Sequence, residues 1–172
     1  LRTRSASRLA KRWQTADLRE GTINLSAVPP TAWIDTNIII RFLTADHPVM
    51  TPEAASLMRQ AENGKIVLKV CSMVIAECCW VLQSPRYRFT PADIAGVLTS
   101  FVMAEGIEMD EKDIVIEALD RYGSTSVDFV DAYLAALANN SGIRPVITYN
   151  RKDFQRLNTS VFRPDQAAEI AP

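Results

Sequence analysis

The chain has 172 residues, 48% hydrophobic and 23% charged, which suits a single globular domain with a real core and leaves no apolar run near the roughly 18 residues of a membrane span. Its formal net charge of −1 divides unevenly: residues 1–31 hold six Lys/Arg against two Asp/Glu, and residues 32–172 hold thirteen against eighteen. A domain that acidic cannot hold nucleic acid by general electrostatics, because phosphate neutralisation needs a basic surface, so any such substrate requires cations to offset the carboxylates.

Two segments follow from this asymmetry: a basic N-terminal extension over 1–31, and a folded domain over 32–172. The extension is Arg/Ser-rich and ends at the loop signal Pro29-Pro30, with Leu9, Trp13 and Leu18 hinting at a short amphipathic helix. It reads as a flexible or targeting segment, or as an arm that docks on another subunit or on acidic surface. The domain opens with AWIDTNIIIRFL. Ala32, Trp33 and Ile34 predict a buried strand that delivers Asp35 to its carboxyl tip, and Thr36–Thr44 predicts a helix. Thr51 as N-cap and Pro52 at the first helical position start a second helix that ends at Asn63-Gly64.

The β-branched run Lys65–Cys71 predicts a strand, and Ser72 caps a helix to about Gln83. Thr90-Pro91 starts a helix through about Ala104. Ile107–Met109 predicts a short strand, Asp110–Tyr122 an amphipathic helix stopped by Gly123, and Ser126 the cap of the helix VDFVDAYLAALANN. Pro145–Thr148 reads as a strand, Tyr149–Phe154 as loop and short helix, and Val161-Phe162 as an edge strand. Strands alternating with helices imply parallel pairing and a three-layer α/β/α domain around a central, mainly parallel sheet.

The cysteines, Cys71, Cys78 and Cys79, have no common zinc spacing, and their apolar neighbours predict buried free thiols in a reducing cytoplasm. With His47 the sole histidine, chemistry needing a His pair is excluded. The acids are more informative. Asp35 is either a helix N-cap or a ligand at a strand tip, where sites in α/β sheets form. Between Met73 and Leu82 every residue but Glu77 is apolar, which predicts a buried helix whose carboxylate needs a partner or a cation.

On the helix after Ser126, Val130, Tyr133, Leu134 and Leu137 predict the apolar face, with Asp128, Asp131 and Ala135 along its border. The helix N-terminus alone explains Asp128 well and Asp131 less well. Asp153 lies just past a strand end and reads equally as a solvated loop acid beside Arg151 and Lys152. Taken together, Asp35, Glu77, Asp131 and Asp153 sit where a parallel sheet gathers its strand tips. Hard oxygen ligands of this kind select Mg²⁺ or Mn²⁺, ions that activate water for phosphodiester hydrolysis.

Four blocks in order, AWIDTNIIIRFL, SMVIAECCWVL, VDFVDAYLAALA and VITYNRKDF, resemble those of PIN-domain ribonucleases, most closely the VapC-like toxins of toxin–antitoxin pairs. The likeness covers about residues 32–165. It implies a Mg²⁺- or Mn²⁺-dependent endoribonuclease with Asp35, Glu77 and Asp131 as metal ligands and Asp153 as a fourth catalytic acid. Asp128, Asn37, Thr148 and Asn150 take accessory positions, Thr148 or Asn150 orienting water or phosphate. It also implies an RNA substrate, a homodimer and a cognate antitoxin, whose inhibitory role the arm's Arg2, Arg4, Arg8 or Arg12 could mimic. A haloacid-dehalogenase-like phosphatase wants an Asp where Asn37 stands. The non-enzyme alternative is a catalytically silent PIN-like module that binds RNA or protein. Arg86, Tyr87 and Arg88, with Arg151 and Lys152, are candidate phosphate contacts.

Overall fold

The computed structural model describes residues 28–143 and 145–170, so the expectations for the arm over 1–27 lie outside the described residues. In chain order the elements are β1 (Thr31–Trp33), α1 (Thr36–Thr44), α2 (Met50–Glu62), β2 (Val67–Lys69), α3 (Ser72–Gln83) and α4 (Pro91–Val102). Then come β3 (Ile107–Glu108), α5 (Lys112–Thr125), α6 (Phe129–Ser141), β4 (Val146–Ile147), α7 (Arg151–Arg156) and β5 (Val161–Phe162), before a 3-10 helix over Pro164–Glu169. Every described strand pairing is parallel, as expected of an α/β domain. The strands form two groups: β1-β2-β3, with Ala32 opposite Leu68 and Leu68 opposite Ile107, and β4-β5, with Val146 opposite Val161.

The core is assembled from one side of each helix. Ile39, Ile40 and Leu43 of α1, Ile75, Cys78 and Leu82 of α3, and Leu98, Phe101 and Val102 of α4 are buried together. Helix α5 packs between α4 and α6, and α1 packs on α2 and α3. Tyr122 of α5 meets Phe129 of α6 edge-on, with centroids 6.2 Å apart, a favourable aromatic geometry. No helix among the described residues is long and apolar enough to cross a membrane.

Several local expectations are corrected. Strand β1 is exposed along Thr31, Ala32 and Trp33, and only Ile34 beyond it is buried. The reason is pairing: β4 bonds to β5 and not to β1 among the described residues, so Trp33 is left 66% exposed with the Lys69 ammonium over its ring. Helix α3 is not buried all round. Ile75, Ala76, Cys78, Cys79 and Leu82 face the core, while Met73, Glu77 and Trp80, spaced at i, i+4 and i+7, form an exposed stripe. Because that outward stripe is itself largely apolar, periodicity could not reveal it. Cys71 is likewise exposed, whereas Cys78 and Cys79 are buried; all three are free thiols.

On α6 the buried face is Phe129, Ala132, Ala135 and Ala136, and Val130 and Leu134 point outward. Small methyl side chains carry weak hydrophobic signal, so the larger residues misled the assignment of the face. Asp128, not Ser126, caps this helix by accepting from the Val130 amide at 2.8 Å, and Ser126 adopts φ 57° at the end of α5. Thr51 and Ser72 lie within the first turns of α2 and α3 and do not cap them. Helix α5 runs past Gly123 because the missing side chain lets α4 approach: a Cβ there would lie 2.7 Å from that of Ala95.

Gly106, just before β3, has φ 76°, and a Cβ there would lie 2.5 Å from the Ala61 carbonyl oxygen. Both the conformation and the contact oppose a side chain. Gly106→Ala should therefore destabilise the domain by on the order of 2–4 kcal/mol, whereas Gly64→Ala meets no neighbour within 4 Å and should cost less. Urea unfolding of the two variants provides the comparison, and equal losses would contradict it.

The α1–α2 loop is fastened by Asp46. Its Oδ1 accepts from Arg41 Nη1 at 2.8 Å, and its Oδ2 accepts from Arg86 Nη2 at 2.9 Å and from the Tyr87 hydroxyl at 2.8 Å. Burial alone would raise this carboxyl, but hydrogen bonds from Arg41, Tyr87 and Thr44 with the Arg41 charge outweigh it and hold it well below the usual range. A folded carboxyl lowered in this way stabilises the protein above the unfolded value, and the benefit fades as pH falls toward the folded one. Asp46→Asn should thus cost on the order of 1–2 kcal/mol at pH 7, with the gap to wild type shrinking steadily below about pH 4. A gap constant across acid pH, in thermal melts, would contradict this origin.

Candidate active site

The carboxyl tip of β1 turns directly into α1, and Asp35 sits at the turn with extended backbone, φ −95° and ψ 159°. Its Oδ1 accepts from the Thr36 amide at 2.8 Å, so it does cap the helix. Its Oδ2 accepts from Asn37 Nδ2 at 3.0 Å. Capping fixes the carboxylate in one orientation while leaving the residue exposed to solvent. Buried Thr36, next along, donates its hydroxyl to Glu77 Oε2 at 2.6 Å. This bond joins the strand tip to the exposed stripe of α3 and makes Asp35 and Glu77 neighbours through one hydroxyl.

A second pair forms around Asn150, between β4 and α7. Asn150 Nδ2 donates to Asp131 Oδ2 at 2.8 Å and to Asp153 Oδ2 at 2.9 Å. The Asn150 amide in turn donates to Thr148 Oγ1 at 2.9 Å, which shapes the loop leaving β4. Asp131 is half-buried, and burial raises its carboxyl above the ordinary value. The Asn150 hydrogen bond opposes that rise, and the charges of Asp128 and Asp153 add to it. Asp128 is the cap of α6, its Oδ1 committed to the Val130 amide.

The acids thus lie as two pairs, Asp35 with Glu77 and Asp131 with Asp153. The buried thiols of Cys78 and Cys79 feel the first pair and Asp128. Cys78 is driven upward by burial first, then by Cys79, Glu77 and Asp35, and Cys79 is pushed up to about 12 by burial and by Asp128. Among the described residues no three His, Cys, Asp or Glu side chains are grouped closely enough to hold one ion. Yet the donor chemistry suits a hard cation. Asp153 has an ion pair, with Arg156 Nη1 at 3.6 Å. Asp35, Glu77, Asp128 and Asp131 have no ion pair among the described residues and are held by neutral hydroxyl, amide and backbone donors. Oxygen donors left without a cationic side chain are the ligand type that Mg²⁺ and Mn²⁺ take.

Glu77 differs most from its sequence reading. It is exposed, so no desolvation penalty demands a partner, and its place in the site rests on the Thr36 bond. Lys69 is occupied by Asp110 at 3.3 Å and Arg86 by Asp46, so neither is drawn to Glu77. Thr36 itself was not anticipated as a site residue. Its only signal was its position between two candidate residues, Asp35 and Asn37. Of the proposed phosphate contacts, Arg86 borders a cavity of about 510 Å³ that also touches Thr36, Asn37, Glu77, Trp80 and Tyr87. Arg88 bonds to the Pro85 carbonyl at 2.9 Å, and Arg151 and Lys152 are exposed at the start of α7.

A search of curated proteins finds no match for the chain. The family model for the PIN domain matches residues 32–159, a span that contains both carboxylate pairs. PIN domains are generally nucleases that need divalent metals and act on RNA. With the match covering most of its length, the chain belongs to the PIN-domain family.

Proposed function

We propose that this protein is a divalent-cation-dependent endoribonuclease whose catalytic acids are Asp35, Glu77, Asp131 and Asp153. The observation that carries this reading is that Asp35, at the tip of β1, Glu77 on α3 and Asp131 on α6 are held by neutral donors and have no ion pair among the described residues. Carboxylates held in this way keep their full negative charge, which a hard divalent cation would offset. Asp35, Glu77 and Asp131 would hold that cation, Mg²⁺ or Mn²⁺. When bound, it supplies a lowered water pKa and offsets charge on the phosphodiester.

The chain's own residues then have separable duties. Asn37 and the Thr36 amide fix Asp35, the Thr36 hydroxyl orients Glu77, and Asn150 holds Asp131 and Asp153 at a common nitrogen. Asp128 maintains the start of α6 and raises the cost of an uncompensated Asp131 charge. The resemblance of the sequence blocks to VapC-like toxins supports a place in a toxin–antitoxin pair, with a small antitoxin as partner, a homodimer as the assembly and the cytoplasm as the compartment. The observation that favours a catalytically silent module is that, among the described residues, the acids stand in pairs and not as a closed set of three.

The nuclease reading predicts RNA cleavage in Mn²⁺ that stops in EDTA and returns when the ion is restored. Asp35→Asn should reduce cleavage by at least about a hundredfold, the scale of losing an essential electrostatic group, while thermal stability without metal changes little. Independently of turnover, Mn²⁺ should raise the melting temperature of the wild type and fail to do so for Asp35→Asn and Asp131→Asn. A fully active Asp35→Asn protein, or wild-type cleavage indifferent to EDTA, would falsify the assignment.

A further inference from the structure

We infer that the groove beside Glu77 is a subsite for single-stranded RNA, in which one base stacks on Trp80 and the adjoining phosphate meets Arg86. This rests on the ribonuclease reading for its substrate class but concerns residues outside the acid pairs. The cavity of about 510 Å³ begins at Thr36, Asn37 and Glu77 and extends to Arg86 and Tyr87. Pockets of roughly 300–1,000 Å³ accept ligands of about nucleotide size. Its near wall therefore includes Glu77 of the first carboxylate pair and the two residues that follow Asp35, so a strand placed with its scissile phosphate at those acids can continue into it.

The lining has the two elements that bind single strands without fixed sequence, an aromatic platform and a cation. Trp80 lies one turn beyond Glu77 on the same stripe of α3 and is 53% exposed, more than a core indole would be. Arg86 lies over the Tyr87 ring at 5.2 Å, with its side chain 65% exposed. That stacking pre-orients the guanidinium while leaving most of it to solvent. Among the described residues Arg41 and Arg86 share Asp46 as their counter-charge, so this end of the groove carries about one net positive charge. In a domain that is acidic elsewhere, a local positive charge next to an exposed indole fits a phosphate and its base better than it fits an acid-free peptide.

The test uses the full chain and a fluorescein-labelled single-stranded oligouridylate of about eight nucleotides, in EDTA to prevent cleavage. Trp80→Ala should weaken binding at least about fivefold, the lower range for losing one stacked base, and Trp80→Phe should restore most of it. Arg86→Gln should flatten the dependence of log affinity on log salt by about 0.7, the value for one phosphate on a single strand. In Mn²⁺, KM for RNA should rise with Trp80→Ala far more than kcat falls. Circular dichroism checks that these surface variants remain folded, and Trp80→Phe supplies the comparison if the alanine variant does not.

If cleavage is metal-dependent but affinity, salt slope and KM are unmoved by the Trp80 and Arg86 variants, the subsite is wrong and the nuclease reading stands. If no cleavage is found but binding falls with Trp80→Ala, the subsite stands and the catalytic reading fails.

Discussion

A single hydroxyl carries the local geometry of this domain. Thr36 is buried where β1 becomes α1, and its side chain reaches Glu77, 41 residues away in sequence. The bond is short, charge-assisted and anchored at its donor end by packing, so it can hold an otherwise solvated glutamate in one place. On one side of it stands Asp35, fixed by the backbone turn; on the other stands the groove that ends at Arg86. Without it, Glu77 would be one more flexible surface acid on a helix whose outward stripe is apolar.

The same principle is used a second time with a different residue. Asn150 offers one nitrogen to two carboxylates, bringing an acid from α6 beside an acid from α7. Neutral donors do this without cancelling the charge they organise. An Arg or Lys in either position would give a stronger local contact, but it would occupy the electrostatic demand that a divalent cation has to meet. The rest of the molecule uses cations freely, as at Asp46, Glu117 and Asp165. Their absence from Asp35, Glu77 and Asp131 among the described residues is therefore a local choice.

How much of this could be read from the sequence depended on how strongly each feature writes itself into residue types. Alternating β and α elements, the strand-tip Asp35 and the caps at Asp35 and Thr90 were legible, since turn chemistry and periodicity are local. The faces of α3 and α6 were not. Helix α3 is apolar on both its inner and outer sides, and α6 buries alanines while exposing Val130 and Leu134. Hydrophobic periodicity identifies a buried face only when the other face is polar, and here it is not. Glu77 was singled out for a burial it does not have, and its link to Thr36 is a long-range contact that no local pattern encodes. The open flank of β1 was hidden for the same reason, because strand order is a property of the whole fold.

The alanine face of α6 has a consequence for how such a site can be tuned. Helix α6 carries Asp131 and packs on both α5 and α3, the latter bearing Glu77. With Ala132, Ala135 and Ala136 fully buried on its inner side, much of the face by which α6 packs consists of side chains one carbon long. Close-packed interiors transmit such dimensions as rigid spacing. The interval between the two acid pairs is then a property of the core, adjustable by a methylene well away from any carboxylate. The alanines work as a shim: they touch no substrate and no ion, yet their size fixes the gauge of the opening that either would have to fit.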